Sequence, residues 1–169
     1  MRLALFAATL AATALTAHAA EPQPEIKRAV GAPQAVGALH TLRVIPEACA
    51  RLQGKFTGDR AKPYDFAVVQ TGIRCQPRAK LVAAAKVKPQ GKAGWIYVDL
   101  VRVPSAACPS QQAVVRIWRH DAKAAPPQLD AQGRSRLYLK ESVDAVRQNG
   151  AGDIPVYAVE MGVAGKACG

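Results

Sequence analysis

The sequence predicts a mainly β fold: an antiparallel β-sandwich or barrel of about seven short strands, with one short helix in the C-terminal half and two disulfides. Three observations support this fold class. Short runs of β-branched and aromatic residues are separated by glycine and proline turn signals. Most of the predicted connections have the length of a hairpin loop. Four cysteines, an even number, occur in a chain that begins with an export signal.

The first nineteen residues have the three parts of a secretory signal peptide. Arg2 supplies the positive n-region, and residues 3–15 are apolar without a single charge. Ala17 and Ala19 place small residues at the two positions that signal peptidase recognises. The apolar run is shorter than the ~20 residues of a membrane-spanning helix, so a membrane anchor is the weaker alternative. We expect cleavage after Ala19, a periplasmic or secreted protein, and no transmembrane segment after cleavage.

The predicted mature chain has 150 residues, which is enough for one compact domain. Loss of Arg2 lowers the formal net charge from +11 to +10. Residues 20–37 contain three prolines and little apolar periodicity, so we expect a flexible N-terminal arm. Residues 38–169 are predicted to form a single β-rich, disulfide-bonded domain.

The four cysteines predict two structural disulfides, because disulfides are the usual state of paired cysteines in exported domains. They are Cys49, Cys75, Cys108 and Cys168. A zinc site would need closely spaced pairs, whereas the nearest two cysteines are 26 positions apart. Of the three possible connectivities we favour Cys49–Cys75 with Cys108–Cys168. The first pair brackets consecutive predicted strands, and the second would hold the C-terminal end.

The predicted strands are rich in β-branched or aromatic residues and are bounded by turn residues. They are residues 38–45, 64–71, 80–88, 95–103, 113–119, 136–140 and 154–161. Residues 80–88 are rich in alanine, but their apolar side chains recur with a period of two, which favours a strand. Residues 95–103 are apolar on both faces, which indicates a central strand. The predicted helix is 141–148, with acidic residues early and Arg147 near its end.

Few residues could support catalysis or metal binding. His40 and His120 are the histidines of the predicted mature chain, and no serine lies in a Gly-x-Ser-x-Gly turn. We expect His40 to be a hydrogen-bonded core or edge residue and His120 to be exposed at a strand end. His120 precedes Asp121, but adjacent strand residues point to opposite faces, so we expect neither a metal site nor a cofactor.

Asp99 is the one acid within an apolar predicted strand, near Trp95 and Tyr97. A carboxyl group in such surroundings could serve as a general acid, as in glycosidases. The simpler interpretation is an ion pair with an arginine, with Arg102 and Arg116 among the candidates.

The positive charge is concentrated in one part of the sequence. Residues 60–92 contain eight basic residues and a single acid. The predicted binding patch comprises Arg74, Arg78, Lys80, Lys86, Lys88 and Lys92. Such a patch attracts anionic polymers or an acidic protein, although it could also be a solvated face that keeps the protein soluble. Nucleic acid is a minor alternative, because aromatic residues are sparse and no stacking array is visible.

These observations predict an exported binding module of unknown specificity rather than an enzyme. Its ligand would be an extracytoplasmic protein, with the chain acting as an inhibitor or immunity protein, or an anionic envelope polymer. Residues 120–135 form a long predicted loop that could insert into an enzyme. The competing hypothesis is an envelope hydrolase that uses Asp99 or His120.

Overall fold

A computed structural model describes residues 22–120 and 154–168. These residues form seven strands, one short helix and two 3₁₀ turns. The strands are β1 (His40–Ile45), β2 (Ala50–Phe56), β3 (Tyr64–Gln70), β4 (Lys80–Ala83), β5 (Trp95–Pro104), β6 (Gln111–His120) and β7 (Val156–Gly165). The helix α1 is Ala84–Val87, and the 3₁₀ turns are Pro46–Ala48 and Gly91–Ala93. Within these residues, none of the helical segments has the length and apolar character needed to cross a membrane.

The strands are arranged in two open sheets. The smaller sheet has the order β1-β2-β3 and the larger has the order β4-β7-β6-β5. Neighbouring strands are antiparallel, except that β4 and β7 are parallel. The predicted fold class, mainly β with seven strands in two layers, is therefore confirmed, and the described strands do not close into a barrel.

The core lies between the inner faces of the two sheets. Leu52 and Phe56 enter it from β2, and Val115 and Ile117 enter it from β6. Each of these side chains is at most 1% exposed. Burial of one such side chain stabilises the folded state by roughly 1.5–3 kcal/mol. These buried side chains therefore hold the two sheets together.

Strand β2 is the one described strand that the sequence analysis missed. Its sequence, ARLQGKF, contains three polar side chains and a glycine, which lowers its β-propensity. The burial pattern nevertheless alternates, with every second residue buried. Gly54 has a packing reason to lack a side chain. A Cβ at this position would collide with the carbonyl oxygen of Asp65 and with the ring of Tyr64 on β3.

Residues 80–88 change conformation midway. Strand β4 ends at Ala83, and α1 follows at once. The alanines have high helix propensity, and Lys88 ends the helix in the left-handed region (φ 46°), with its N–H donating to the carbonyl of Ala84. The prediction of one continuous strand was therefore wrong beyond Ala83. The predicted strand 136–140 and the predicted helix 141–148 lie outside the described residues.

The two disulfides have the favoured connectivity. Cys49 and Cys75 are joined with a Cα–Cα distance of 5.8 Å, and Cys108 and Cys168 with a distance of 5.6 Å. The second bridge ties the β5–β6 connection to the segment after β7 across 60 residues. In the chain-entropy account, closing a loop of this length stabilises the fold by about 4 kcal/mol.

The prediction of a central strand over 95–103 was wrong, because β5 is an edge strand of the larger sheet. The segment before β1 lies along the free edge of β5. Backbone N–H groups of Ile26, Gly31 and Gln34 donate to the carbonyls of Val98, Arg102 and Pro104. These hydrogen bonds cover an edge that would otherwise expose unpaired backbone groups.

The prediction of a flexible arm over 20–37 did not anticipate this pairing. The segment has no alternating hydrophobic pattern, and its hydrogen bonds depend on a partner strand more than 60 positions away in the sequence. No local pattern in the sequence therefore indicates that this segment pairs with β5.

Candidate binding surface on the four-stranded sheet

A β-bulge at Val98 sends the side chains on either side of it to opposite faces of the larger sheet. Tyr97 is paired with Trp118, and Asp99 is paired with Ile117, so the register shifts by one residue between them. A bulge changes the direction of the side chains that follow it. Tyr97 therefore shares the outer face with Trp118, whereas Asp99 points into the core beside Ile117.

Asp99 is fixed inside the sandwich by two arginines. Its side chain is 0% exposed. Arg28 donates from Nε to Oδ1 at 3.2 Å and from Nη2 to Oδ2 at 2.8 Å, and Nε of Arg43 lies 3.4 Å from Oδ2. The hydrogen bond with Asp99 raises the pKa of the Arg28 guanidinium above its ordinary value. This network connects the N-terminal segment, β1 and β5.

The structure places arginines beside Asp99, as predicted, but not the arginines that were named. Arg102 and Arg116 are paired with Val114 and Leu100, on the face of β5 and β6 that is opposite to Asp99. Arg102 lies three positions after Asp99, which in a strand is the opposite face. The actual partners come from the N-terminal segment and from β1, which no pattern within β5 or β6 indicates. A carboxylate that is shielded from solvent and held by two guanidiniums cannot reach a substrate. Asp99 therefore cannot serve as the general acid of the hydrolase hypothesis.

Four aromatic rings meet on the outer face, at the end where β5 begins and β6 ends. Trp95 and His120 are cross-strand partners with ring centroids 5.1 Å apart in an edge-to-face arrangement. Tyr97 and Trp118 form the next pair on this face, stacked with centroids 5.2 Å apart and ring planes 26° apart. Both tryptophans of the chain are in this cluster. Stacked pairs of this kind hold their rings in a fixed orientation.

Several of the predicted basic residues lie on the same side of the larger sheet as these rings. Lys80 is paired with Val156, which is paired with His120, so Lys80 lies on the same row of the outer face as the Trp95–His120 pair. Lys86, Lys88 and Lys92 follow in α1, at its C-cap and in the Gly91–Ala93 turn. We call Trp95, Tyr97, Trp118, His120, Lys80, Lys86, Lys88 and Lys92 the aromatic–basic surface.

The other two predicted patch residues lie elsewhere. Arg74 is exposed in the loop closed by the Cys49–Cys75 disulfide. Arg78 is partly buried, and its backbone N–H donates to the carbonyl of Glu47. The structure therefore brings four of the six predicted residues to one side of the larger sheet.

A hollow of about 300 Å³ opens on this surface between α1 and the sheet. Its wall includes the indole of Trp118, the carboxylate-bearing Glu160 and the ammonium-bearing Lys88. Gln90 adds an amide, and Ala84, Ala85 and Pro89 complete the lining. Nη1 of Arg116 lies 3.7 Å from Oε2 of Glu160. The hollow thus combines one aromatic wall with a cation, an anion and an amide.

His40 belongs to an aromatic cluster in the smaller sheet. Its Nδ1 lies 3.0 Å from the carbonyl oxygen of Ala38, and its Nε2 lies 2.7 Å from the hydroxyl of Tyr64. If Nδ1 donates to Ala38, then Nε2 accepts the Tyr64 proton. Burial raises the pKa of Tyr64 far above the ordinary value for tyrosine. These contacts agree with the predicted structural role of His40.

Burial of Tyr64 makes stability fall at high pH. Above pH ~10 the unfolded chain releases the Tyr64 proton while the folded chain keeps it, so the folded state loses up to about 1.4 kcal/mol per pH unit. Below this pH both states are protonated, and the contribution is fully present. We expect the free energy of unfolding between pH 9 and 11 to fall less steeply for Tyr64→Phe than for the wild type. Equal slopes in urea titrations would contradict this expectation.

His120 and the described serines are not placed for joint catalysis. Nε2 of His120 lies 3.0 Å from the carbonyl oxygen of Ala93. The hydroxyl of Ser105 accepts from the N–H of Cys108, and that of Ser110 donates to the carbonyl of Lys166, so both serines lie near the start of β6. His120 ends that ten-residue strand, roughly 30 Å away at the usual rise per residue. The described part of the chain contains no group of three potential metal ligands.

An apolar cleft of about 470 Å³ lies between the two sheets, on the side of β3 and β4. Its lining includes Val68, Leu81, Val159 and Met161, beside the Cys49–Cys75 disulfide. The cleft has no charged side chain in its wall, so it does not contribute to the aromatic–basic surface.

The sequence analysis missed the aromatic cluster, although strands 95–103 and 113–119 were both predicted. Near the turn the two strands pair as a hairpin centred on Cys108, a register that would place Tyr97 opposite Arg119. The bulge at Val98 shifts the register by one residue, and only this shift puts Trp95 opposite His120 and Tyr97 opposite Trp118.

Comparison of the chain with protein-family models, with curated proteins and with solved structures finds no match. Arguments about its function therefore depend on its own residues.

Proposed function

We propose that this chain is an exported, non-catalytic binding module that recognises an anionic component of the cell envelope. The predicted signal peptide supports export, and so do the two disulfides, which persist in oxidising compartments outside the cytoplasm. The predicted mature charge of +10 supports an anionic ligand, because a field of this sign attracts polyanions over long range.

The observation that carries the proposal is the aromatic–basic surface. Four lysines bring positive charge to a face on which rigid aromatic pairs are also exposed in part. Surfaces of this composition bind polymers, because the cations contact the acidic groups and the rings contact the units between them. A solvated face that serves only solubility would not need aromatic rings among its lysines.

The protein-partner version of the hypothesis depends on the predicted loop 120–135. Of this loop, only His120 lies within the described residues. The hydrolase alternative named Asp99 and His120 as candidate catalytic residues. The Asp99 carboxylate is held in an internal ion-pair network, and the His120 ring contacts a backbone carbonyl. The anionic envelope component is therefore the ligand that the described residues support best.

Binding to isolated envelope material tests the proposal. We expect the mature protein to co-sediment with envelope fragments at low salt and to be released at high salt, because exposed ion pairs are screened. Replacement of Lys80, Lys86, Lys88 and Lys92 by glutamine should weaken binding on the order of tenfold or more.

A matched control separates a local site from net charge. Glutamine at Arg51, Lys55, Arg60 and Lys166 removes the same charge from exposed positions in β2, in the β2–β3 connection and after β7, away from the aromatic–basic surface. We expect this control to retain most of the affinity. Equal losses in the two variants, or no binding by the wild type at any salt concentration, would contradict the proposed function.

A further inference from the structure

We propose that the hollow beside Trp118 is a subsite for one sugar unit of an acidic polysaccharide, with the sugar ring against the indole and the acidic group beside Lys88. This inference rests on the proposed function and names the ligand class of the same surface. The hollow is the place on that surface where an aromatic wall, a cation, an anion and an amide converge.

The indole of Trp118 is held in a fixed orientation. It stacks with the ring of Tyr97, its cross-strand partner on β5, and the Tyr97 side chain is only 8% exposed. Trp118 remains partly exposed and forms part of the wall of the hollow. A rigid, partly exposed ring presents a flat apolar surface at little entropic cost, which suits the apolar face of a sugar ring.

The polar groups of the hollow favour a sugar over other anionic ligands. Sugar hydroxyls donate hydrogen bonds, and the carboxylate of Glu160, which lies 3.7 Å from Nη1 of Arg116, is an acceptor for them. A polyphosphate or a DNA backbone has no hydroxyl group that could donate to the carboxylate of Glu160, so it would place only anionic oxygens beside this acceptor. An acyl chain would require a wall without charges, which this hollow does not have.

Lys88 supplies the selectivity for an acidic unit. It follows α1 directly, its side chain is exposed, and it lines the hollow opposite the sheet. Its backbone is in the left-handed region, which asparagine also adopts readily. Lys88→Asn therefore removes the ammonium group without forcing a change in the local backbone.

Three polymers used as probes separate the sugar from its charge. Polygalacturonate is an acidic polysaccharide, dextran is a neutral one, and polyglutamate is a polyanion without sugar. Both tryptophans lie on the aromatic–basic surface, so tryptophan emission reports binding there directly. We expect polygalacturonate to change the emission and to bind more tightly than either of the other two polymers.

Variants locate the subsite. Trp118→Ala should weaken polygalacturonate binding by roughly tenfold, which is the size of a single stacking contribution. Lys88→Asn should weaken it several-fold, whereas Lys166→Asn removes the same charge beyond the far end of β7 and should change it by less than about twofold. Because Trp118→Ala alters a packed pair, its far-UV circular dichroism is recorded, and Lys88→Asn provides the second, independent test.

Failure of the subsite can be distinguished from failure of the proposed function. Equal binding of polyglutamate and polygalacturonate, with no effect of Trp118→Ala, would overturn the sugar subsite and leave polyanion binding intact. Equal binding of dextran would overturn the role of Lys88. Binding of none of the three polymers, together with no binding to envelope fragments, would overturn both.

Discussion

Replacement of both Arg28 and Arg43 by methionine should destabilise the protein by about 3–5 kcal/mol, because it leaves the Asp99 carboxylate buried without a counter-charge. Asp99 has no solvent exposure, and these two guanidiniums are its ion-pair partners in the described structure. Methionine keeps much of the apolar stem of arginine, so the loss reports the charge more than the packing. Urea unfolding followed by circular dichroism measures the effect.

A third substitution tests the cause of that loss. Adding Asp99→Leu to the double variant removes the buried charge and fills a similar volume, so most of the lost stability should return. If the triple variant were as unstable as the double variant, the destabilisation would come from lost packing and not from an unpaired carboxylate. A double variant with nearly wild-type stability would show that Asp99 is not isolated from water.

Gly54→Ala should destabilise the protein by several kcal/mol, with roughly 3 kcal/mol as the expected scale for a steric conflict in a packed interior. The added Cβ would collide with the carbonyl oxygen of Asp65 and with the Tyr64 ring. The conflict is with the backbone of the neighbouring strand β3, which cannot move without breaking the β2–β3 ladder.

Gly162→Ala is the matched control for this substitution. Gly162 also lies within a strand, β7, but an added Cβ there would meet nothing within 4 Å. Loss of a flexible glycine should leave stability unchanged or raise it by about 0.4–1 kcal/mol. Similar effects of Gly54→Ala and Gly162→Ala on the urea midpoint would show that the close approach of β3 to β2 is not a constraint on the fold.

The strands and the disulfides were accessible from the sequence because they depend on local patterns and on simple counting. The sequences of β5, β6 and β7 are rich in β-branched and aromatic residues, which predicts strands. Cysteine pairing had only three solutions, and the order of the strands favoured one of them. In contrast, β2 was missed because Gly54, which lowers its propensity, is required by the neighbouring strand.

The aromatic–basic surface was harder to predict from the sequence, because it depends on the register between strands. The partners of Asp99 come from Arg28, 71 positions away, and from Arg43 on the opposite sheet. The bulge at Val98 puts Tyr97 and Trp95 on the face opposite to Asp99, and no local pattern specifies that bulge. The aromatic cluster follows from the same β5–β6 register, which composition alone does not provide.

The Asp99 network and the outer surface are connected through one strand. The network holds β5 from the inner side, while Tyr97 and Trp95, two and four residues earlier, carry the aromatic pairs on the outer side. A stable internal ion-pair network next to a bulge is a way to keep these rings in a fixed position. Polymer binding by the Arg28 and Arg43 variants should therefore be measured at a temperature at which these variants remain folded.

The salt dependence of polygalacturonate binding is the most direct test of the central claim that the aromatic–basic surface binds an anionic envelope polymer. Release of counterions makes the logarithm of the affinity fall linearly with the logarithm of salt concentration, more steeply as more cations contact the polymer. We predict a steep line for the wild type and for the control lacking Arg51, Lys55, Arg60 and Lys166. The variant lacking Lys80, Lys86, Lys88 and Lys92 should give a clearly shallower line. Lines of equal slope for all three proteins would contradict the account.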